Sequence, residues 1–432
     1  MSYRRVWIAV FLFTLALINY MDRITLSFAI GPISREFGLG DVAKGYLFSS
    51  FLWAYAGFVI PMGLLADRFG SKKVAAWGMG IWSLATALTG LSVGYVWLLA
   101  TRLVMGGGES CTNPSGAKVI REWIPAGERG MFAAAFNTGA YAGPAFCALV
   151  AGAIIGAWGW RSLFFIAGGV GFIWLAAWVW FYDRPEVARW LSEKERRKIL
   201  TERNAGVKES ETAARPAGLW RLMGTTSLWG VTLSQSCNTY SQYLFLTWLP
   251  SYLQNVKHLT LMKTGIYTAV PYIVAVLVCL GMARLSDRLL ARSGPASGRR
   301  RNLIAFSMVL AAVVLAVPFI DKVWVLIVVI CLAISGVATT TALNQALVND
   351  LLVNPKDIAK AMAFFVIGSN LFALLAPIVT GYVISLTGSY DWAFGIAGIL
   401  LVLGVIVDLT LTRKPISVQM APAASFSASG AS

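Results

Sequence analysis

"GLLADRFGSKK", residues 63–73, closes one long apolar run and precedes the next. "ARLSDRLLARSG", residues 283–294, does the same much later in the chain. Aligning Asp67-Arg68 with Asp287-Arg288 also aligns Leu65 with Leu285 and Ala66 with Ser286. One copy would be weak evidence. Two copies, after the second and the eighth apolar runs, point to a six-segment unit that occurs twice. Outward from these anchors the runs fall at about 6–30, 45–65, 74–93, 96–118, 132–155 and 161–181, then 225–250, 266–283, 302–320, 323–347, 358–384 and 391–412. Most of them approach or exceed the roughly 20 residues that an α-helix needs to cross a bilayer.

The bulk composition agrees. Of the 432 residues, 57% are hydrophobic and 13% charged. The mean hydropathy is +0.68. Soluble domains carry about 25% charged residues, so a single aqueous fold would leave too much apolar surface uncovered. The expected fold is an all-α membrane protein, with twelve transmembrane helices in two six-helix pseudo-symmetric bundles around a central cavity. The expected divisions are a first bundle over 1–182, a cytoplasmic linker over 183–222, a second bundle over 223–413 and a disordered cytoplasmic tail over 414–432. In the linker, Ser192 and Glu195 stand at capping-box spacing before a short amphipathic helix.

The net charge of +16 raises the question of nucleic acid. Placement answers it. With a cytoplasmic N-terminus, 28 of the 36 Lys and Arg fall on the inner side and 6 on the outer side, leaving Arg23 and Arg102 inside spans. That asymmetry puts both termini in the cytoplasm and accounts for the basic balance without a nucleic-acid partner. Five scattered cysteines show no metal-ligand or CxxC spacing, and the single histidine, His258, cannot build a multi-histidine metal site. Arg4 and Arg5 precede an apolar run without a small-residue cleavage site, so the first span reads as uncleaved. No nucleophile–base constellation is present. No enzyme activity, cofactor or metal is expected.

The stretch 63–73 resembles the loop signature of the major facilitator superfamily, G-x-L-A-D-R-x-G-[RK]-[RK], through Gly63, Asp67, Arg68, Gly70, Lys72 and Lys73. "RLVMGGGES" (102–110) resembles the same superfamily's fourth span. More narrowly, "NYMDR", "GGGESCTNPSGAKVIREWIPAGERG", "GWRSLFFIAGGVGFIW" and "FYDRPEVARWLSEKE" are similar to the anion:cation symporter family. Its members carry hexuronates, galactonate, glucarate, tartrate and some aromatic acids. Where they often read GEAP or AEAP, this chain has "GESC". The resemblance implies a proton-coupled symporter in the inner membrane, acting as a monomer on a small organic anion, with lipid as its surroundings.

Four charges stand deep in the spans rather than near their ends: Asp22, Arg23, Arg102 and Glu109. An ionised group at the bilayer centre costs about 2.5–3.5 kcal/mol on insertion scales. The expectation is that Asp22, Arg23 and Glu109 open onto a water-filled hollow between the bundles. Arg102 and Glu109 are seven apart and share a helix face. Arg102, nearer the outer end, would tune Glu109 or the outer gate. A guanidinium matches a carboxylate bidentately, which makes Arg23 the first choice for gripping the anion. The family resemblance implies that Asp22 and Glu109 are the proton sites. The alternative is a permanent bridge, Asp22/Arg102 or Glu109/Arg23, that merely ties helices together.

Neutral groups complete the expected binding site: Tyr20, Tyr55, Gln242, Asn344 and Asn370, with Tyr55 and Asn370 as the preferred pair. Asp67, Arg68, Asp287 and Arg288 are expected to latch one bundle to the other. The leading substrate is a sugar acid (hexuronate, aldonate or aldarate). The alternative is an aromatic or dicarboxylic acid such as a hydroxyphenylacetate-, phthalate- or tartrate-like anion, with Phe51, Trp53 and Tyr55 stacking on a ring.

Overall fold

The computed structural model describes residues 3–125, 128–188, 190–202, 218–293, 298–354 and 357–416. Most of the tail expected from 414 onward, and linker residues 203–217, lie outside the described residues. The first half comprises α1 (Tyr3–Phe37), α2 (Asp41–Phe69), α3 (Ser71–Thr89), α4 (Tyr95–Glu109), α5 (Thr112–Trp123), α6 (Arg129–Trp158) and α7 (Trp160–Phe181). Two short helices follow, α8 (Glu193–Glu202) and α9 (Leu219–Met223). The second half holds α10 (Thr226–Asn255), α11 (Leu261–Ser293), α12 (Arg299–Ala311), the 3-10 segment Ala312–Phe319, α13 (Val323–Leu351), α14 (Ile358–Thr387) and α15 (Asp391–Leu411).

A helix satisfies its own backbone donors and acceptors, which is what a lipid-facing segment requires. Among the described residues nine helices are long and apolar enough to cross a membrane. The other three expected spans depart for local reasons. α3 opens on Ser71-Lys72-Lys73, the fourth span is broken into α4 and α5, and α10 is rich in Ser, Thr, Gln and Asn. Gly70, at φ +87°, turns the chain sharply between α2 and α3, where a side chain would be strained. Ser192 stands just before α8, and its hydroxyl accepts from the Glu195 N–H at 3.4 Å.

The packing repeats. α1 lies on α6 as α10 lies on α14; α2 on α4 as α11 on α13; α3 on α7 as α12 on α15. Between the halves, α2 packs on α14 and α11 on α6, the same crossing with the roles exchanged, and α1 meets α10. Both seams are tight at the end away from the chain termini. A Cβ on Gly45 would stand 2.7 Å from the Pro377 carbonyl oxygen, and one on Gly152 would stand 2.6 Å from that of Leu261. Ser49 Oγ donates to Leu374 O at 2.7 Å, and Trp248 Nε1 to Pro377 O at 3.3 Å, across or beside the same seam. At the opposite end, which holds the first turn of α1 and the last of α15, the halves separate around a cavity of about 1020 Å³. α2 and α5 form one wall, and Met362, Ala363, Val366 and Ile367 of α14 form the other.

Candidate functional site

The face of α1 carrying Tyr20, Arg23, Ser27 and Gly31 is spaced by three to four residues, so it forms one stripe. Ser27 Oγ on that stripe donates to the Leu246 carbonyl of α10 at 2.9 Å. Arg23 sits between the halves. Its Nε donates to Glu109 Oε2 at 2.8 Å, and its NH1 donates to the Tyr243 hydroxyl of α10 at 3.0 Å. One guanidinium thus joins an acid of the first half to a phenol of the second. Three rings surround it, with Tyr20 at 4.5 Å and Phe51 and Tyr55 at 5.1 Å from its central carbon. Phe51 stacks on Tyr243 across the halves at 6.3 Å. Asn113 Nδ2 donates to the Tyr55 hydroxyl at 2.8 Å.

Glu109 owes its place to a break that corrects the expected continuous span 96–118. α4 ends at Glu109 and α5 begins at Thr112. Pro114 has no N–H to give the carbonyl four residues earlier, and its ring opposes that carbonyl. The Ser110 hydroxyl turns back to Gly107 O at 2.7 Å. The carboxylate therefore projects from a helix end rather than from the middle of a span.

Adjacent residues on a helix point about 100° apart, and Asp22 turns away from Arg23 into the first half. There it lies beside Trp82 and Arg102. Both carboxyl oxygens of Asp22 lack a hydrogen-bond partner among the described residues, as do Arg102 Nε and NH2. Arg102 NH1 reaches the Asp22 carbonyl at 3.4 Å and Met105 Sδ at 3.2 Å, and the guanidinium lies over Phe164 at 5.4 Å. Arg102 is 1% exposed, so it is sealed inside the first half.

The expectation that Asp22, Arg23 and Glu109 all open onto a hollow is also corrected. Asp22 and Glu109 are 0% exposed and Arg23 7%. None of the three lines the cavity, whereas Asn113, Asp67, Lys118 and Arg121 do. The reason is geometric: the ion pair and the rings of Tyr20, Phe51, Tyr55 and Tyr243 close over one another. The inner end of the cavity, at Asn113, is separated from Arg23 by the Tyr55 side chain.

The remaining expected residues divide. Asn344 is wholly buried within the second half, and its Nδ2 donates to Gln235 Oε1 at 3.0 Å. Gln235 Nε2 in turn donates to Thr239 and Thr341, both at 3.2 Å, and Asn238 Nδ2 donates to Thr341 at 2.9 Å. Gln242 is half-buried on α10. Asn370, on α14, donates its Nδ2 to its own helix at Val366 O, 2.8 Å away. Trp53 stands outside the ring cage. It is 38% exposed and donates its indole N–H to Ser49 at 2.9 Å. The motif charges pair within their own halves. Asp67 meets Lys118 at 3.0 Å, and Arg300 bridges Asp287 at 2.7 Å and Asp350 at 2.6 Å. Arg68 lies over Phe69 at 5.4 Å, and Arg288 is exposed. Asp408, on the last turns of α15, is 0% exposed.

Sequence reasoning missed Tyr243, Asn113 and Trp82 as neighbours of the charges. Asn113 follows Glu109 by four residues, and Tyr243 lies in the unusually polar seventh span. Those were the available signals. Trp82 carried none.

A duplicated helical bundle, tightly crossed at one end, open at the other and holding a charge cluster on the seam between, is the build of a membrane carrier. The comparisons agree. The chain belongs to the Major Facilitator Superfamily, whose family model matches residues 12–297 and 290–427. It is 30% identical to the "Probable galactarate/D-glucarate transporter GudP" of Escherichia coli (strain K12) over 97% of this chain and 96% of that protein. It is also 30% identical to the "Probable L-galactonate transporter" of the same organism, over 94% of this chain and 89% of that one. Among solved structures, a bacterial homolog to the human lysosomal transporter Spinster, in an inward-facing and unoccupied conformation, superposes with a TM-score of 0.76. It does so at 17% identity and covers 98% of this chain and 100% of that one.

Proposed function

We propose that this chain is a proton-coupled symporter that imports a sugar acid by alternating access. The observation that carries the reading is the buried Arg23–Glu109 pair at 2.8 Å, with the same guanidinium bonded to Tyr243 of the other half. Glu109 takes a single bond from Arg23, whereas a substrate carboxylate offers the guanidinium a bidentate partner. To bind it, Arg23 releases Glu109. A carboxyl group left buried without a counter-ion is more stable neutral than charged, so it takes up a proton. One anion and one proton then enter together. Because Arg23 also holds Tyr243, exchanging its partners loosens the contact between α1 and α10. Asp22, with two unpartnered oxygens beside Arg102, serves as a second proton site.

The excess of Lys and Arg at the cavity's end supports a cytoplasmic location for that end, with this chain in the inner membrane. The names of the relatives support a sugar acid as cargo. The ring cage around Arg23 supports an aromatic acid as the second reading.

Purified protein in proteoliposomes tests both. Sugar-acid addition outside should acidify the lumen. Uptake that ignores a protonophore refutes the coupling. A hydroxyphenylacetate-type acid that outcompetes every sugar acid favours the second reading.

A further inference from the structure

The charges of the site stop at the midline. α10 contains no Asp, Glu, Lys or Arg along its whole length, and the one charged residue of α13 is Asp350, near its end. Beyond Tyr243, the α10 side chain that meets Arg23, these two helices join amides and hydroxyls inside the second half: Gln235, Asn238, Thr341 and Asn344. Their internal bonds leave acceptors over. Asn238 Oδ1 and Asn344 Oδ1 have no partner among the described residues, and neither do the Tyr141 and Tyr272 hydroxyls. Asn238 and Asn344 are 0% exposed, Tyr272 3% and Tyr141 7%. The cluster reaches the guanidinium through one side chain. Tyr141, on α6, lies among Tyr20, Thr341 and Tyr272, and Tyr20 lies against Arg23 at 4.5 Å. A cation for one carboxylate is therefore followed, across Tyr20, by neutral hydrogen-bonding groups, among them the unpartnered oxygens of Asn238 and Asn344.

We infer that this carrier selects a polyhydroxylated monocarboxylate, an aldonate or hexuronate, and discriminates against the aldarate diacids. The inference rests on the sugar-acid reading above and sharpens it. With one carboxylate on Arg23, the hydroxylated tail donates to the spare oxygens of Asn238 and Asn344 and pairs with Tyr141 and Tyr272. A second carboxylate at the tail meets acceptors and no counter-charge, which is unfavourable in a dry site. Arg102 does not answer it, because its guanidinium is turned into the first half, against the Asp22 carbonyl and over Phe164. Lys118 is the next basic group along α5. It lies five residues beyond Asn113, about 7.5 Å further along the axis, with its ammonium held by Ala66 O at 2.7 Å and Asp67 at 3.0 Å.

The test is ligand-dependent thermal stabilisation of the purified full-length chain, followed by competition in proteoliposomes, with D-gluconate, D-glucuronate and D-glucarate as probes. The monoacids should act at concentrations about tenfold or more below the diacid, the scale of rejection expected of a site whose polar groups are matched to one partner. Tyr141→Phe should raise the half-saturating D-gluconate concentration about fivefold, with the melting temperature of the unliganded protein unchanged. Gln235→Lys, which adds a cation to the neutral wall, should narrow or reverse the preference against D-glucarate. D-Glucarate equal to or better than the monoacids overturns the inference but leaves the sugar-acid reading intact. So does an unaltered D-gluconate response in Tyr141→Phe. Indifference to all three acids overturns the sugar-acid reading itself.

Discussion

The two halves share a packing plan and differ in chemistry. At the seam the first half contributes Arg23 and Glu109, with Asp22 and Arg102 behind them. The second contributes Tyr243, with a network of Gln235, Asn238, Thr341 and Asn344 buried behind it and no charge on α10. Duplication explains the common crossings. It does not require both copies to keep the same residues once packed. Here the charged copy suits coupling and anion capture, while the neutral copy suits reading the rest of the ligand.

Breaking the charged side should have the largest effect. Arg23→Ala leaves Glu109 buried without its partner, which costs about 3–5 kcal/mol of stability and abolishes uptake. The double variant Arg23→Ala/Glu109→Ala should recover part of the lost melting temperature without recovering transport. Additive losses would show that the pair is not coupled. Glu109→Gln is milder for the fold. It should abolish accumulation driven by a proton gradient while sparing exchange of substrate across the membrane, measured by counterflow. If gradient-driven accumulation persists, Glu109 is not the proton carrier.

On the neutral side the effect should be smaller. Asn344→Leu strands Gln235 Oε1 without its donor and should cost about 1–3 kcal/mol, seen as a lower melting temperature together with weaker substrate binding. The tight seam offers an independent handle. Gly45→Val forces a side chain against the Pro377 carbonyl, so the end away from the termini should spend more time open. Thiol labelling of a cysteine placed at Tyr46 would report faster reaction. The smallest effect belongs to the motif loop. Asp67 is largely exposed where it meets Lys118, so Asp67→Asn should change stability by less than about 1 kcal/mol.

Much of the fold was legible in the linear chain. Apolar length announces a membrane helix because lipid leaves the backbone no other partner. The paired Asp-Arg motifs at 67–68 and 287–288 announced the repeat because turns recur at fixed places in a duplicated unit. The four intramembrane charges were visible because charge in an apolar run is costly and therefore conspicuous. Which charge pairs with which was not visible. Asp22 and Arg23 are neighbours in sequence, yet the helical phase sends one into the first half and the other to the seam. Glu109 meets Arg23 rather than Arg102 because seven residues of the same helix hold it about 10 Å from Arg102 along the axis, while α1 brings Arg23 within 2.8 Å of it. Tyr243 becomes a partner of Arg23 only through contact between helices some two hundred residues apart. Hydrophobicity and turn chemistry are local, so the amino-acid order alone determined the helices and their duplication. The identity of each buried charge's partner depends on how those helices cross, and only the tertiary structure decided that.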